Sequence, residues 1–266
     1  MRPRFFRGSL LSKMLRGSAV LSCLLTGTIP ALANSNVVVR ENVSAARRNE
    51  LASKLRVITG LTRLSFDSSG LLQLGMEQDR LGSQGARDLL TRAVQGNKVI
   101  VVEDASSRAD VAFCRVVPGR WLSANGSKLP AYVVLIDFSD FRQIIGDDGA
   151  RAAFDVGWGF LHELDHVVAE SSDPDEPGDI GECEAHINAM RREIGLPQRV
   201  DYFFTESSLR VDPNFGTRLV RLAFEQYDNG RSRKRRYWLT WDSKVVGGLI
   251  ANGQTAVVRS ARNPSH

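Results

Sequence analysis

The chain has 266 residues, of which 42% are hydrophobic and 24% are charged, and this composition excludes an intrinsically disordered protein. It contains 35 basic and 30 acidic residues, but five of the basic residues and none of the acidic ones lie in the first 33 positions. The remaining chain is therefore electrically balanced. The overall net charge of +5 gives no reason to expect nucleic-acid binding.

The first 33 residues have the pattern of a secretory signal peptide. Basic residues precede a mostly apolar stretch from Ala19 to Ala31, and Ala31-Leu32-Ala33 fits an A-x-A cleavage site. The apolar stretch is shorter than the ~20 residues of a transmembrane helix and contains Pro30. We therefore predict that residues 1–33 are removed. Residues 34–266 are expected to form a single periplasmic or secreted domain without a transmembrane segment.

Helical and strand patterns follow one another in the first half of the mature chain. The predicted helices are Ala45–Val57 and Gly85–Val94, and the predicted strands are Lys98–Val102, Val111–Val117 and Ala131–Asp137. This mixture predicts an α+β fold with a small mixed sheet.

Residues His162-Glu163-Leu164-Asp165-His166 form an H-E-x-x-H motif. Asp147 and Asp148 provide a helix cap upstream, and apolar residues at helical spacing continue through the motif, which predicts a helix. On a helix, the two histidines project from one face about one turn apart and reach the same metal ion, for which zinc is the expected cofactor. Glu163 is the expected general base.

A catalytic zinc site usually needs a third protein ligand besides two histidines. The acidic loop Ser171–Gly181 is expected to border the cleft as a polar loop, and a second helical pattern follows it as far as Ile194. Glu184 on this second helix is the preferred third ligand, and Glu182 and His186 are the alternatives.

Asn188 and Arg191 share a helix stripe with Glu184, because they follow it by four and seven residues. We expect Asn188 to hydrogen-bond a ligating side chain and Arg191 to hold a carboxylate or a substrate carbonyl.

Two cysteines remain after removal of the leader, Cys114 in a strand-like run and Cys183 at the start of the second helix. In an oxidising compartment a disulfide between them is one possibility, and two free buried thiols are the other.

The last part of the chain contains an exposed basic run, Arg231–Arg236, which we interpret as a solvated loop that enters a strand. No nucleic-acid partner is therefore expected. The predicted helix here is Phe215–Tyr227, and the predicted strands are Tyr237–Trp241, Val245–Ile250 and Thr255–Val258.

The motif and its downstream helix resemble a known family. The chain reads His162-Glu163-x-x-His166, then Asn188-x-x-Arg191-x-x-x-Gly195-Leu196-Pro197-x-Arg199 and Tyr202. This pattern is similar to that of the zinc metallopeptidases of bacterial type III effectors and the related metallopeptidase domains of Rhs-type toxins, which belong to the zincin class. The resemblance covers about residues 130–205. It implies a zincin-like domain with an active-site helix and a second ligand-bearing helix. The predicted signal peptide departs from this family, whose members are delivered by dedicated machines.

We therefore expect an exported zinc metallopeptidase with a peptide or protein substrate. Zinc is expected to activate a water molecule and to polarise the scissile carbonyl, with Glu163 as general base. Tyr202, Arg191 and His186, in that order, are the candidates for stabilising the oxyanion. The alternatives are a zinc amidase or peptidase that acts on cell-wall peptides, and a non-catalytic exported binding protein.

Overall fold

The computed structural model describes residues 35–75, 79, 81–106, 108–122, 126–206, 218–227 and 233–247. The predicted signal peptide and the predicted strand Thr255–Val258 lie outside these residues. The described chain mixes helices with several sheets, which agrees with the predicted α+β class. None of its helices is both long enough and apolar enough to cross a bilayer.

Five α-helices occur in the described residues. They are α1 (Ala45–Thr59), α2 (Gln84–Gln95), α3 (Asp148–Ala152), α4 (Val156–Val168) and α5 (Gly181–Glu193), and a 3-10 turn covers Asp140–Arg142. Local signals fix the ends of α1, because the Ser44 side chain accepts a hydrogen bond from the backbone of Arg47 and Gly60 adopts a left-handed conformation. The two helices predicted before the strands are confirmed as α1 and α2.

The helix that carries the H-E-x-x-H motif begins later than the sequence predicted. Asp147 and Asp148 open the short helix α3 instead, and the chain then breaks before α4. Asp155 caps α4 by accepting hydrogen bonds from the backbone N–H groups of Gly157 at 2.9 Å and Trp158 at 3.2 Å. The motif therefore lies well inside a separately capped helix.

Short and long strands form three sheets. The strands are β1 (Val37–Val39), β2 (Ser65–Phe66), β3 (Leu72–Gln73), β4 (Val99–Asp104), β5 (Cys114–Leu122), β6 (Lys128–Ile136), β7 (Ile145–Gly146), β8 (Gln198–Arg199), β9 (Thr205–Glu206), β10 (Leu219–Tyr227) and β11 (Lys234–Asp242). The first sheet has the order β1-β4-β6-β5, in which β1, β4 and β6 are parallel and β5 runs antiparallel at the edge. The three strands predicted upstream of the motif correspond to β4, β5 and β6. Strands β2 and β3 pair with each other.

The second sheet is antiparallel and has the order β7-β11-β10-β8, with β9 also paired to β10. The helix predicted over Phe215–Tyr227 is wrong for its described part, since residues 219–227 form β10. Val220, Leu222 and Phe224 share one buried core cluster to which Arg221 and Ala223 between them do not belong, so the apolar period is two rather than 3.6.

The final predicted strands have different outcomes. Tyr237–Trp241 is confirmed within β11. Of Val245–Ile250, residues 245–247 form a turn and the rest lies outside the described residues.

Helices α1, α2 and α4 pack against one face of the first sheet and share one apolar core with it. Gly159 allows α4 to approach the edge strand β5 closely, because a Cβ atom there would lie 2.8 Å from Cys114 Sγ and 2.9 Å from the Phe141 ring. The motif helix is thereby held against β5. A second core lies beneath the β10–β11 hairpin.

Candidate metal centre

The two motif histidines face each other on α4. Their Nε2 atoms lie 3.2 Å apart, and the Nδ1 of His166 donates to the backbone carbonyl of Ser171 at 2.9 Å. This hydrogen bond fixes the imidazole of His166 and leaves its Nε2 free to act as a ligand. Both imidazoles are largely buried, so the pair is a preorganised donor set.

Asp173, in the loop between α4 and α5, completes a compact group of donors. Its Oδ1 lies 3.2 Å from the Nε2 of His162, and its Oδ2 lies 3.4 Å from the Nε2 of His166. The Oδ1 atom is buried and has no hydrogen-bond partner among the described residues. Cys183 also belongs to this group, in which all donor atoms lie within 4.8 Å of one another. Its sulfur, however, is 3.4 Å from the Nδ1 of His162, and this ring atom does not face Asp173.

The electrostatics of this group favour positive charge at its centre. Burial disfavours charge on Asp173, yet the adjacent imidazoles of His162 and His166 hold its pKa well below the usual range of a carboxyl. Against the same burial, Asp173 raises the pKa of His166 to about 11. The group therefore stabilises a cation at the point where the three side chains meet.

Glu163 lies beside the histidines without joining the donor group. The residue is only 7% exposed, and burial raises the pKa of its carboxyl, while His162, His166 and a hydrogen bond from the backbone of Val116 in β5 oppose this rise. A carboxylate with a raised pKa, held next to a metal site and an edge strand, is suited to take up a proton.

Glu184, the preferred third ligand from the sequence, lies on the other side of His162. Its carboxylate is 3.2 Å from the Nδ1 of His162 and 3.2 Å from a guanidinium nitrogen of Arg199, and it also accepts a hydrogen bond from Arg191. Burial opposes ionisation of Glu184, but Arg191 and Arg199 hold its pKa far below the usual value. In this position Glu184 orients His162 so that the Nε2 faces Asp173.

The two alternative ligands lie away from the donor group. Glu182 is exposed at the start of α5. His186 donates its Nδ1 hydrogen to Asp165 at 2.8 Å, and this carboxylate also accepts the hydroxyl of Ser171 at 2.6 Å. The geometry therefore favours Asp173 over Glu184, Glu182 and His186 as the third ligand.

Tyr202 reaches the donor group from beyond α5. Its hydroxyl donates to Asp173 Oδ2 at 2.6 Å, and the Arg199 guanidinium lies 4.6 Å from the centre of its ring. Arg191, by contrast, is buried and fully engaged with the Ala153 carbonyl, Glu184 and Asn188. Of the two, Tyr202 is placed to contact a substrate, whereas Arg191 holds the surrounding elements together.

Asn188 connects the second helix to β8. Its side-chain oxygen accepts hydrogen bonds from Arg191 at 2.9 Å and from the backbone N–H of Arg199 at 2.8 Å, and its amide donates to the Arg199 carbonyl at 2.8 Å. Asn188 thus supports the arginines that hold Glu184 rather than contacting a ligand itself.

The cysteines of the described chain are both free thiols. Cys114 lines a cavity of about 370 Å³ that opens beside His162 and Glu163, and Cys183 is buried behind His162. The disulfide considered from the sequence is not formed.

Comparisons with protein-family models, curated proteins and solved structures find no match to this chain.

The donor group could hold a metal ion, and its nitrogen and oxygen atoms are of the kind that zinc binds. Tetrahedral zinc with nitrogen and oxygen ligands at about 2.0–2.1 Å places neighbouring ligand atoms about 3.3–3.4 Å apart. The two histidine Nε2 atoms are 3.2 Å apart, and each lies near a different oxygen of Asp173, at 3.2 Å for His162 and Oδ1 and at 3.4 Å for His166 and Oδ2. A metal ion would also satisfy the buried Oδ1 of Asp173, which lies 3.2 Å from His162 Nε2 but makes no hydrogen bond with the described residues.

Sequence patterns alone do not indicate Asp173. It lies in an irregular loop that contains several acidic residues, and no helical or strand period distinguishes it from its neighbours. The only signal in the sequence was the high number of acidic residues in the loop after His166. This signal predicted a polar loop at the border of the cleft and did not single out a metal ligand.

Proposed function

We propose that the protein is a zinc-dependent metallopeptidase. The observation that carries the proposal is the convergence of His162, His166 and Asp173, whose nitrogen and oxygen atoms approach one another to 3.2–3.4 Å, with the buried carboxyl of Glu163 beside them. Two histidines and one carboxylate form the protein part of a catalytic zinc site that keeps one position open.

Each side chain of the site has a definite task in this proposal. His162, His166 and Asp173 hold the ion, and Glu184 and the Ser171 carbonyl orient the imidazoles. When bound, zinc lowers the pKa of a water molecule and polarises a carbonyl group. Glu163 accepts the proton of the attacking water and delivers it to the leaving amine. The Tyr202 hydroxyl turns from Asp173 Oδ2 to the carbonyl oxygen and stabilises the negative charge that develops there.

A peptide substrate is supported by the position of β5. This strand is at the edge of the first sheet. Among the described strands, it pairs only with β6. The backbone of Val116 lowers the pKa of the Glu163 carboxyl, so β5 lies next to the proposed general base. An extended peptide can add to such an edge through main-chain hydrogen bonds.

The predicted signal peptide places this activity in the periplasm or outside the cell. A zinc amidase or peptidase that acts on cell-wall peptides would use the same ligands and the same base, and it differs only in the substrate. A non-catalytic binding protein would have no use for a buried Glu163 beside the metal ligands.

The proposal is tested by replacing the general base. Purified residues 34–266 are measured for zinc by mass spectrometry and for cleavage of peptide mixtures and muropeptides. The Glu163→Gln variant should keep near-stoichiometric zinc and lose hydrolysis by a factor of about 10²–10⁴. The same change at the exposed Glu41 should alter neither property. Absence of zinc in the parent protein, or undiminished hydrolysis in Glu163→Gln, would refute the proposal.

A further inference from the structure

We infer that the cavity beside Glu163 is a specificity pocket for a large apolar side chain, preferentially aromatic, next to the cleaved peptide bond. This inference rests on the proposed peptidase function and names its substrate class. The cavity has a volume of about 370 Å³ and is lined by His162, Glu163 and Tyr202 on the side of the metal centre. Its size is near the lower end of the range of about 300–1,000 Å³ for ligand pockets, which suits one side chain with adjoining backbone.

The walls of the cavity are mainly aromatic. Phe113 is in the middle of the wall, with ring centres 5.1 Å from Phe154 and 5.2 Å from Trp241, both nearly perpendicular to it. Phe141 lies 5.2 Å from the same ring. Rings in this arrangement present both edges and faces to the cavity, and an entering aromatic ring gains additional edge-to-face contacts beyond the burial of its area.

The arginines of the cavity are paired with acids, and Lys244, which also lines it, is exposed at the surface. Arg191 and Arg199 both bind Glu184, and Arg218 binds Glu206 at 2.6 Å. An acidic substrate side chain that entered the cavity would lose its hydration, and Arg191 and Arg199 are already held by Glu184. The pocket therefore selects against acidic side chains.

The aromatic wall is held in place before any ligand enters. Phe113 has a positive φ of 63°, which is unfavourable for a bulky residue. The buried carboxyl of Asp140 accepts hydrogen bonds from the backbone N–H of Phe113 and from that of Gly247, each at 3.0 Å. One side chain thus fixes two sides of the cavity, and a preformed pocket saves the ordering cost of binding.

The experiment changes the volume of the pocket and reads both cleavage and binding. Leu222 is buried and lines the cavity, so Leu222→Trp should fill it. Ala112→Trp narrows the cavity from an exposed position. This variant tests the pocket even if the substitution at the buried Leu222 disturbs folding. Leu129→Trp is the matched control, since Leu129 is exposed in β6 and does not line the cavity.

Cleavage sites in a peptide library are mapped by mass spectrometry for each protein. The wild type and Leu129→Trp should cut mostly beside Phe, Tyr or Trp, and the two pocket variants should lose about tenfold in kcat/KM for such peptides while changing little for alanine peptides. Wild-type cleavage without an apolar preference would overturn the pocket assignment and leave the peptidase proposal intact. Cleavage of no peptide would refute both.

Binding gives a readout that does not depend on turnover. In the Glu163→Gln background, a phenylalanine peptide should change the fluorescence of Trp158 and Trp241, which line the cavity, and bind at least about tenfold more tightly than its alanine counterpart. Adding Leu222→Trp or Ala112→Trp should remove this difference. A difference that survives in both double variants would also overturn the assignment.

Discussion

Replacing Glu184 with glutamine should destabilise the protein strongly. Glu184 is 1% exposed, and its carboxylate binds Arg191, Arg199 and His162. Glutamine keeps the size of the side chain and removes the charge, which leaves the 2% exposed guanidinium of Arg191 buried without its acidic partner.

The magnitude follows from this burial. Breaking a buried ion pair from one side costs about 3–5 kcal/mol, because the remaining charge stays desolvated. Glu206→Gln is the control, since Glu206 and Arg218 are 59% and 47% exposed and such a pair contributes about 0–1 kcal/mol.

Urea denaturation followed by tryptophan fluorescence measures both variants, with EDTA present so that metal binding does not add to the free energy of unfolding. With a urea m-value of about 3 kcal/mol/M, Glu184→Gln should lower the midpoint by about 1 M or more.

The pH dependence has a definite sign. Because the folded-state pKa of Glu184 is depressed, its contribution is present above the unfolded value near 4.5 and is lost as the pH falls below it. The difference between wild type and variant should therefore shrink on acidification below pH 4.5. A loss no larger than that of Glu206→Gln at pH 7 would refute the role of Glu184 as the buried counter-ion.

Two further predictions concern the metal ligand and a buried acid. Asp173→Ala should reduce bound zinc, measured by mass spectrometry, from near-stoichiometric to trace levels. Asp175→Ala changes an exposed residue of the same loop and should retain the zinc. Retained zinc in Asp173→Ala would make Glu184 the preferred ligand again. Burial raises the pKa of Asp140 to about 6, so this group stabilises the fold below its unfolded value near 3.8 and the contribution is lost as the pH rises to about 6. Urea midpoints between pH 4 and 7 should fall in wild type relative to Asp140→Asn, and a relative rise would contradict the assignment.

The parts of the fold that the sequence predicted are those with a regular period. Helices α1, α2 and α5 and strands β4 and β6 were recognised because their apolar residues recur at 3.6 or as buried runs. Strand β10 was mistaken for a helix, because its nine residues contain enough apolar residues to satisfy a helical window, and the pairing with β11 that decides the matter is not encoded locally.

In the candidate site, too, the residues that follow a helical pattern were predicted and the loop residue was not. His162, Glu163 and His166 follow from one helical motif, and Tyr202 followed from the resemblance. Asp173 was missed because a loop has no period. The stripe formed by Glu184, Asn188 and Arg191 was recognised, but sequence spacing alone does not tell which nitrogen of His162 a carboxylate faces.

The ion pair between Glu184 and Arg199 connects the β10–β11 hairpin to the candidate metal centre. Arg199 lies in β8, which is held by Phe224 of β10, and Glu184 passes this restraint on to His162. If the hairpin loosened, the His162 imidazole would lose this restraint while α4 and α5 stay folded. The segment that positions the candidate metal ligands is therefore longer than the segment that contains them, because the restraint on His162 reaches it from β10 through Arg199 and Glu184.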